Sequence, residues 1–184
     1  MDYSQYYKKW TFTNTIIIIT VLAFIVQNIL HNGGVLMGLN FLFFKFDLYH
    51  QLLTTMFAHA DLMHLVMNMF MLFIFGNDIE NHVGKKQFLI LYLVGGLLTS
   101  IFSLVYMLVT GDWANLVGAS GAICVLMGYV AHSFPHQRQT MIVWVAIMSF
   151  APLLIGMNIA WYAHLIGFGM GWLLGYFFKK VERN

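Results

Sequence analysis

Two short stretches decide how this chain folds: Leu116-Val117-Gly118-Ala119-Ser120-Gly121-Ala122 and Trp161-Tyr162-Ala163-His164-Leu165-Ile166-Gly167. Each is an apolar run interrupted by one polar side chain, Ser120 in the first and His164 in the second. A hydroxyl or an imidazole in such a setting costs free energy unless it has a partner or a task. Upstream, His64 and Asn68 are spaced i, i+4, which places both on one face of a helix. At a common depth these four groups would make a serine–histidine site with oxyanion donors.

Composition supplies the setting. The 184 residues are 60% hydrophobic and only 9% charged, against about 25% charged in a soluble domain. The mean hydropathy of +0.77 agrees, so the chain is an all-α integral membrane protein, and its length suits one domain, residues 1–184. A net charge of +2 with no basic stripe argues against a nucleic-acid partner. Cys124 is the sole cysteine, which excludes an internal disulfide and a two-cysteine metal site. Thr11 to Leu30 has about the length of a full span. No small-residue cleavage pattern follows it, so it is expected to be a retained first helix rather than a cleaved leader.

Charges and turn residues predict six transmembrane helices, over 11–30, 61–75, 87–108, 117–131, 140–157 and 160–178. Asp61 is placed to cap the second. Pro152 is expected to kink the fifth. Residues 31–60 form an irregular apolar connector, whose Phe41, Phe43, Phe44 and Phe46 suit a membrane interface. With six spans, Lys8, Lys9, Lys85, Lys86, Arg138, Lys179, Lys180 and Arg183 share one side and Lys45 alone faces the other, eight against one. That asymmetry places both termini in the cytoplasm.

Orientation sets depth. The second, fourth and sixth spans all start on the outer side. At about 1.5 Å per residue, His64 and Asn68 lie roughly 5 and 10 Å below Asp61, Ser120 roughly 5–10 Å deep, and His164 roughly 9 Å below Asn158. All four fall in the outer third of the bilayer. Ala163, Gly167, Gly171 and Gly175 recur every four residues, a pattern that lets helix backbones approach closely. Gly118 and Gly121 flank Ser120 with small residues, so a serine hydroxyl can come within hydrogen-bond reach of an imidazole.

Serine is a weak nucleophile until a base removes its proton, and histidine has the intrinsic pKa for that work. The last three spans contain no Asp or Glu, so the site is expected to be a dyad of Ser120 and His164. Negative charge developing on an attacked carbonyl needs waiting donors, and His64, Asn68 and the Ser120 backbone N–H are the candidates. His59 and Cys124 are expected to line the same cavity. Each part has a plainer explanation: Gly-x-Ser-Gly is also a packing signal, and His164 or Asn68 could simply bond neighbouring helices. His59 and His64 make a poor metal pair, five residues apart with no carboxylate beside them. No metal or cofactor is expected.

At these residues the chain resembles the rhomboid family of intramembrane serine proteases, over nearly its whole length. The resemblance rests on His64-Leu65-Val66-Met67-Asn68, on Gly118-Ala119-Ser120-Gly121 and on Ala163-His164-Leu165-Ile166-Gly167, with Glu80 and Gly84 similar to the family's loop. It implies a six-helix core, a Ser120–His164 dyad, oxyanion assistance from His64 and Asn68, and single-span membrane proteins as substrates. It implies no cofactor. Two positions depart from the pattern. Cys124 stands where several bacterial relatives carry an aromatic residue packed on the catalytic histidine, and His50-Gln51 replaces the connector's usual Trp-Arg pair.

The expectation is therefore a multi-pass serine endopeptidase of the plasma (inner) membrane, its site opening to the extracytoplasmic side, with the bilayer and transmembrane proteins as partners. A catalytically silent rhomboid-like binder is the alternative. A small transporter fits less well, because no internal repeat is present and the fifth span carries none of the four polar groups.

Overall fold

The structure, a computed structural model, describes residues 10–154, 156 and 159–181. Lys8, Lys9, Asn158 and Arg183 lie outside the described residues. Helix α1, Phe12–Ile29, follows the cap Thr11, whose hydroxyl accepts the Asn14 N–H. The connector holds three short helices, α2 Gly33–Met37, α3 Leu42–Lys45 and α4 Gln51–Thr54. Then come α5 Leu62–Val83, α6 Lys85–Thr110, α7 Ser120–Ser133, α8 Arg138–Leu154 and α9 Trp161–Val181. Among the described residues the only extended pairing is one antiparallel bridge, Leu39 with Leu116. Helices α1, α5 and α6 are long and apolar enough to cross a membrane.

Several boundaries differ from those the sequence predicts, each for a physical reason. The second helix does not stop at residue 75 but continues to Val83. Its polar residues are not loop. The buried Glu80 carboxylate accepts the backbone N–H groups of Phe12 and Thr13 at 2.9 and 2.8 Å and the Thr13 hydroxyl at 2.8 Å. Asn77 accepts the Thr11 hydroxyl at 2.7 Å. These groups satisfy the orphan donors at the start of α1 and set a negative charge at the positive end of its dipole. The break falls on Gly84 alone, at φ +79°, a conformation glycine adopts without cost. The fourth helix begins at Ser120, three residues late, because Leu116 is paired to Leu39 and Gly118 sits at φ +124°. The fifth begins at Arg138, off a 3-10 turn at Pro135–Gln137, and carries Pro152 inside it.

Helix α7 is the central post. Its 14 residues span about 21 Å, less than the roughly 30 Å of bilayer hydrocarbon, and every residue from Ala122 to Ala131 is buried. Helix α9 runs parallel to it in near backbone contact. A Cβ at Gly167 would strike the Gly121 carbonyl, one at Gly171 the Val125 carbonyl, and one at Gly128 the Phe168 carbonyl. Helix α6 also lies close to α7, but against side chains: a Cβ at Gly95 would strike the Val125 side chain and one at Gly96 would lie 3.0 Å from the Ala122 methyl. Helix α1, by contrast, turns Ile18, Leu22, Ile25 and Ile29 outward.

Gly171→Val overfills a backbone contact and should cost about 1–3 kcal/mol, lowering the thermal midpoint of the detergent-purified protein by several degrees. Gly169→Ala, where the added Cβ meets nothing within 4 Å, should leave that midpoint unchanged. Glu80→Ala strands the donors at the start of α1 and should cost about 1–3 kcal/mol by the same measurement, with Glu80→Gln recovering part.

Candidate active site

The three helices that carry the predicted site residues present them near their N-terminal ends. Ser120 is the first residue of α7, His164 the fourth of α9, and His64 the third of α5. Ser120 Oγ and His164 Nε2 are 2.8 Å apart, and both residues are buried. The contact follows from the parallel packing of α7 on α9, which places the first turn of each at the same end. Those ends carry unpaired backbone N–H groups and the positive ends of two helix dipoles. That is a setting suited to negative charge on a reacting oxygen.

The loop before Ser120 is not helical, and the connector holds it. Leu39 and Leu116 exchange both backbone hydrogen bonds, at 2.9 and 2.8 Å. The Gly118 N–H donates to the Thr55 carbonyl at 2.9 Å, and the Thr55 hydroxyl donates to the Leu116 carbonyl. Asn40 Nδ2 donates to Asn115 Oδ1 at 2.8 Å. The connector in turn is anchored on His50 and Gln51. Gln51 Nε2 donates to the Val35 carbonyl at 3.0 Å, and a His50 ring nitrogen lies 3.0 Å from the Leu36 carbonyl.

His64 packs its ring against Gly118: a Cβ there would lie 2.9 Å from His64 Cε1, 3.0 Å from His64 Nε2 and 3.6 Å from Ser120 Oγ. His64 and Ser120 thus face one small space that only a glycine leaves open. The fixed start of α5 supports that placement, because Asp61 accepts the His64 N–H at 2.8 Å. Asn68 is buried one turn further on, and its Nδ2 donates to the His64 carbonyl at 2.9 Å. One of its two N–H bonds is therefore engaged within the helix. His59 is fully buried, with Nε2 3.5 Å from the Ala119 N–H, so it supports the turn into Ser120. Gln27 holds His59 from behind through both of its backbone groups, at 2.6 and 3.0 Å. Cys124 is fully buried one turn below Ser120, and a Cβ on Gly167 would meet it at 3.3 Å. Among the described residues no three His, Cys, Asp or Glu side chains gather as a metal site.

One group at this site has no counterpart in the sequence prediction. Ser149, on α8, is fully buried with its Oγ 3.4 Å from His164 Nδ1. The fifth helix is therefore not without a polar group near His164. A serine in an apolar helix usually bonds back to its own turn, and Ser149 does, to the Val145 carbonyl at 2.6 Å. Nothing in Met148-Ser149-Phe150 distinguishes it.

Residues 46–181 match the family model of the rhomboid domain. This chain belongs to the rhomboid family. It is 31% identical over 146 residues to a candidate rhomboid protease of Bacillus subtilis, covering 73% of this chain and 70% of that protein. It is 32% identical over 145 residues to the mitochondrial presenilin-associated rhomboid-like protein A of Danio rerio, covering 70% of this chain and 37% of the relative. To the mitochondrial Rhomboid protein 1 of Saccharomyces cerevisiae it is 33% identical over 147 residues, or 70% of this chain and 42% of the relative. The chain thus spans less than half of the Danio and Saccharomyces relatives. The plasma-membrane expectation is corrected here. Those two relatives are named as mitochondrial, so the plasma-membrane expectation does not stand. Charge asymmetry orients a rhomboid in whatever bilayer holds it and carries no information about which bilayer that is.

Gly118→Ala should destabilise the protein by about 1–3 kcal/mol, since it combines a disfavoured φ with a clash on the His64 ring. If the clash is the cause, Gly118→Ala should cost less in a His64→Ala background. A double-mutant cycle on detergent thermal midpoints checks this.

Proposed function

We propose that this rhomboid is an intramembrane serine endopeptidase that cleaves single-span membrane proteins in or beside their transmembrane segment. The observation that carries the reading is the 2.8 Å contact between Ser120 Oγ and His164 Nε2 inside a bundle of apolar helices. In this reading α1, α5, α6, α7, α8 and α9 are six spans of a single domain. Both termini lie on the side of the basic loops, and the dyad opens to the opposite side. His164 Nε2 takes the Ser120 hydroxyl proton as Oγ bonds to the substrate carbonyl carbon. The charge that builds on the carbonyl oxygen is met by the Ser120 N–H, by the His64 ring and by the remaining Asn68 N–H. The carbon–nitrogen bond then breaks, and His164 returns its proton to the leaving amine. Water, activated by the same nitrogen, hydrolyses the resulting ester. No residue of this scheme needs a cofactor.

The decisive experiment treats the detergent-purified protein with a fluorophosphonate and reads intact mass. A single adduct is expected on the wild type and none on Ser120→Ala or His164→Ala. A folded wild type that stays unlabelled, where an active rhomboid labels in parallel, would sink the hydrolase and favour the catalytically silent binder. Asn68→Ala should fold, label, and lose up to about 10²–10³ in cleavage rate, the cost of one oxyanion donor in other serine proteases.

A further inference from the structure

Ser149 settles a question that the dyad leaves open: which ring nitrogen of His164 carries the proton. Its Oγ lies 2.6 Å from the Val145 carbonyl and 3.4 Å from His164 Nδ1. A hydroxyl has one proton, and a carbonyl oxygen can only accept. The Ser149 proton is therefore committed to Val145, and toward His164 the hydroxyl offers a lone pair. A hydrogen bond across that gap requires the proton to be on Nδ1. In a neutral imidazole the other nitrogen, Nε2, is then bare, and Nε2 is the atom 2.8 Å from Ser120 Oγ.

We infer that Ser149 is a positioning residue that selects the Nδ1–H tautomer of His164 and so keeps Nε2 free to accept the Ser120 proton. The inference rests on the serine–histidine reading above. Catalytic histidines generally need a third group to hold their orientation. Among the described residues, α7, α8 and α9 contain no Asp or Glu to serve, and Cys124 is a small thiol buried beside Gly167. A neutral hydroxyl at 3.4 Å is a weak partner in the resting state. It strengthens when His164 becomes an imidazolium, because Nδ1–H then donates with charge behind it. The opposite tautomer would set two lone pairs against each other across the same gap.

The test uses the full chain in detergent, labelled with 15N-histidine, and reads the His164 ring nitrogens alongside the rate of fluorophosphonate reaction at Ser120. The His164 signals are identified by their loss in His164→Gln. Wild type should show a protonated Nδ1 and a bare Nε2. In Ser149→Ala the Nδ1–H form should lose its majority, and the reaction rate should fall about tenfold, the scale of one neutral hydrogen bond. Ser149→Cys, nearly isosteric and a poor acceptor, should move both readouts the same way should the alanine variant fold badly. Ser149→Thr, which retains the hydroxyl and its bond to Val145, should restore both. An unchanged tautomer in Ser149→Ala and Ser149→Cys overturns the inference, even if the rate drops, because the loss would then be structural. A wild type that shows the Ser149-dependent tautomer yet never reacts with the probe would leave the positioning role standing and remove the hydrolase.

Discussion

The contact of α7 with α9, backbone against backbone, is the constraint on which the rest depends. At Gly128, Gly167 and Gly171 a carbonyl of the facing helix lies where a Cβ would have to be, so no side chain fits at those crossings. In a bilayer such proximity is driven by van der Waals packing rather than by expulsion of water, so small residues are what permit it. Serine is a short side chain. It reaches an imidazole on a neighbouring helix only because that helix is this near. Parallel packing adds a second effect, since both helices point their positive ends toward the Ser120–His164 contact.

Non-helical backbone at membrane depth is tolerated only when protein satisfies its hydrogen bonds. The loop from Asn115 to Ala119 meets that requirement through the connector. Leu39, Asn40, Thr55 and His59 between them engage Asn115, Leu116, Gly118 and Ala119. The turn into Ser120 is thereby held by a segment more than fifty residues earlier in the chain. His50 and Gln51 bind the connector to its own carbonyls at Leu36 and Val35. Glu80 does the equivalent work at the far end of the bundle, where it ties α5 to the start of α1. The starts of α1 and α7 are thus both held by polar partners from other segments.

Much of this was legible in the chain. The i, i+4 spacing of His64 and Asn68, the small residues around Ser120 and the four-residue repeat of Ala163, Gly167, Gly171 and Gly175 depend only on helical periodicity, which local sequence encodes. Other parts were not. Polar residues 77–83 look like a loop when read alone. They are helical because Glu80 and Asn77 have partners on α1 some sixty-five residues away. Ser149 looks like an ordinary helix serine, and only the crossing of α8 with α9 puts it at His164. The spacing of Asn68 does not reveal that one of its two amide N–H groups donates to the His64 carbonyl.

By itself the sequence determined the class of molecule, because composition and period act locally: an apolar all-helical chain with Ser120 and His164 each set in an apolar run. Which atoms meet was decided only by tertiary structure. Helix crossing, the register of α7 on α9 and the grip of the connector depend on pairs of residues far apart in sequence. Those pairs bring His164 Nε2 to Ser120 and Nδ1 to Ser149.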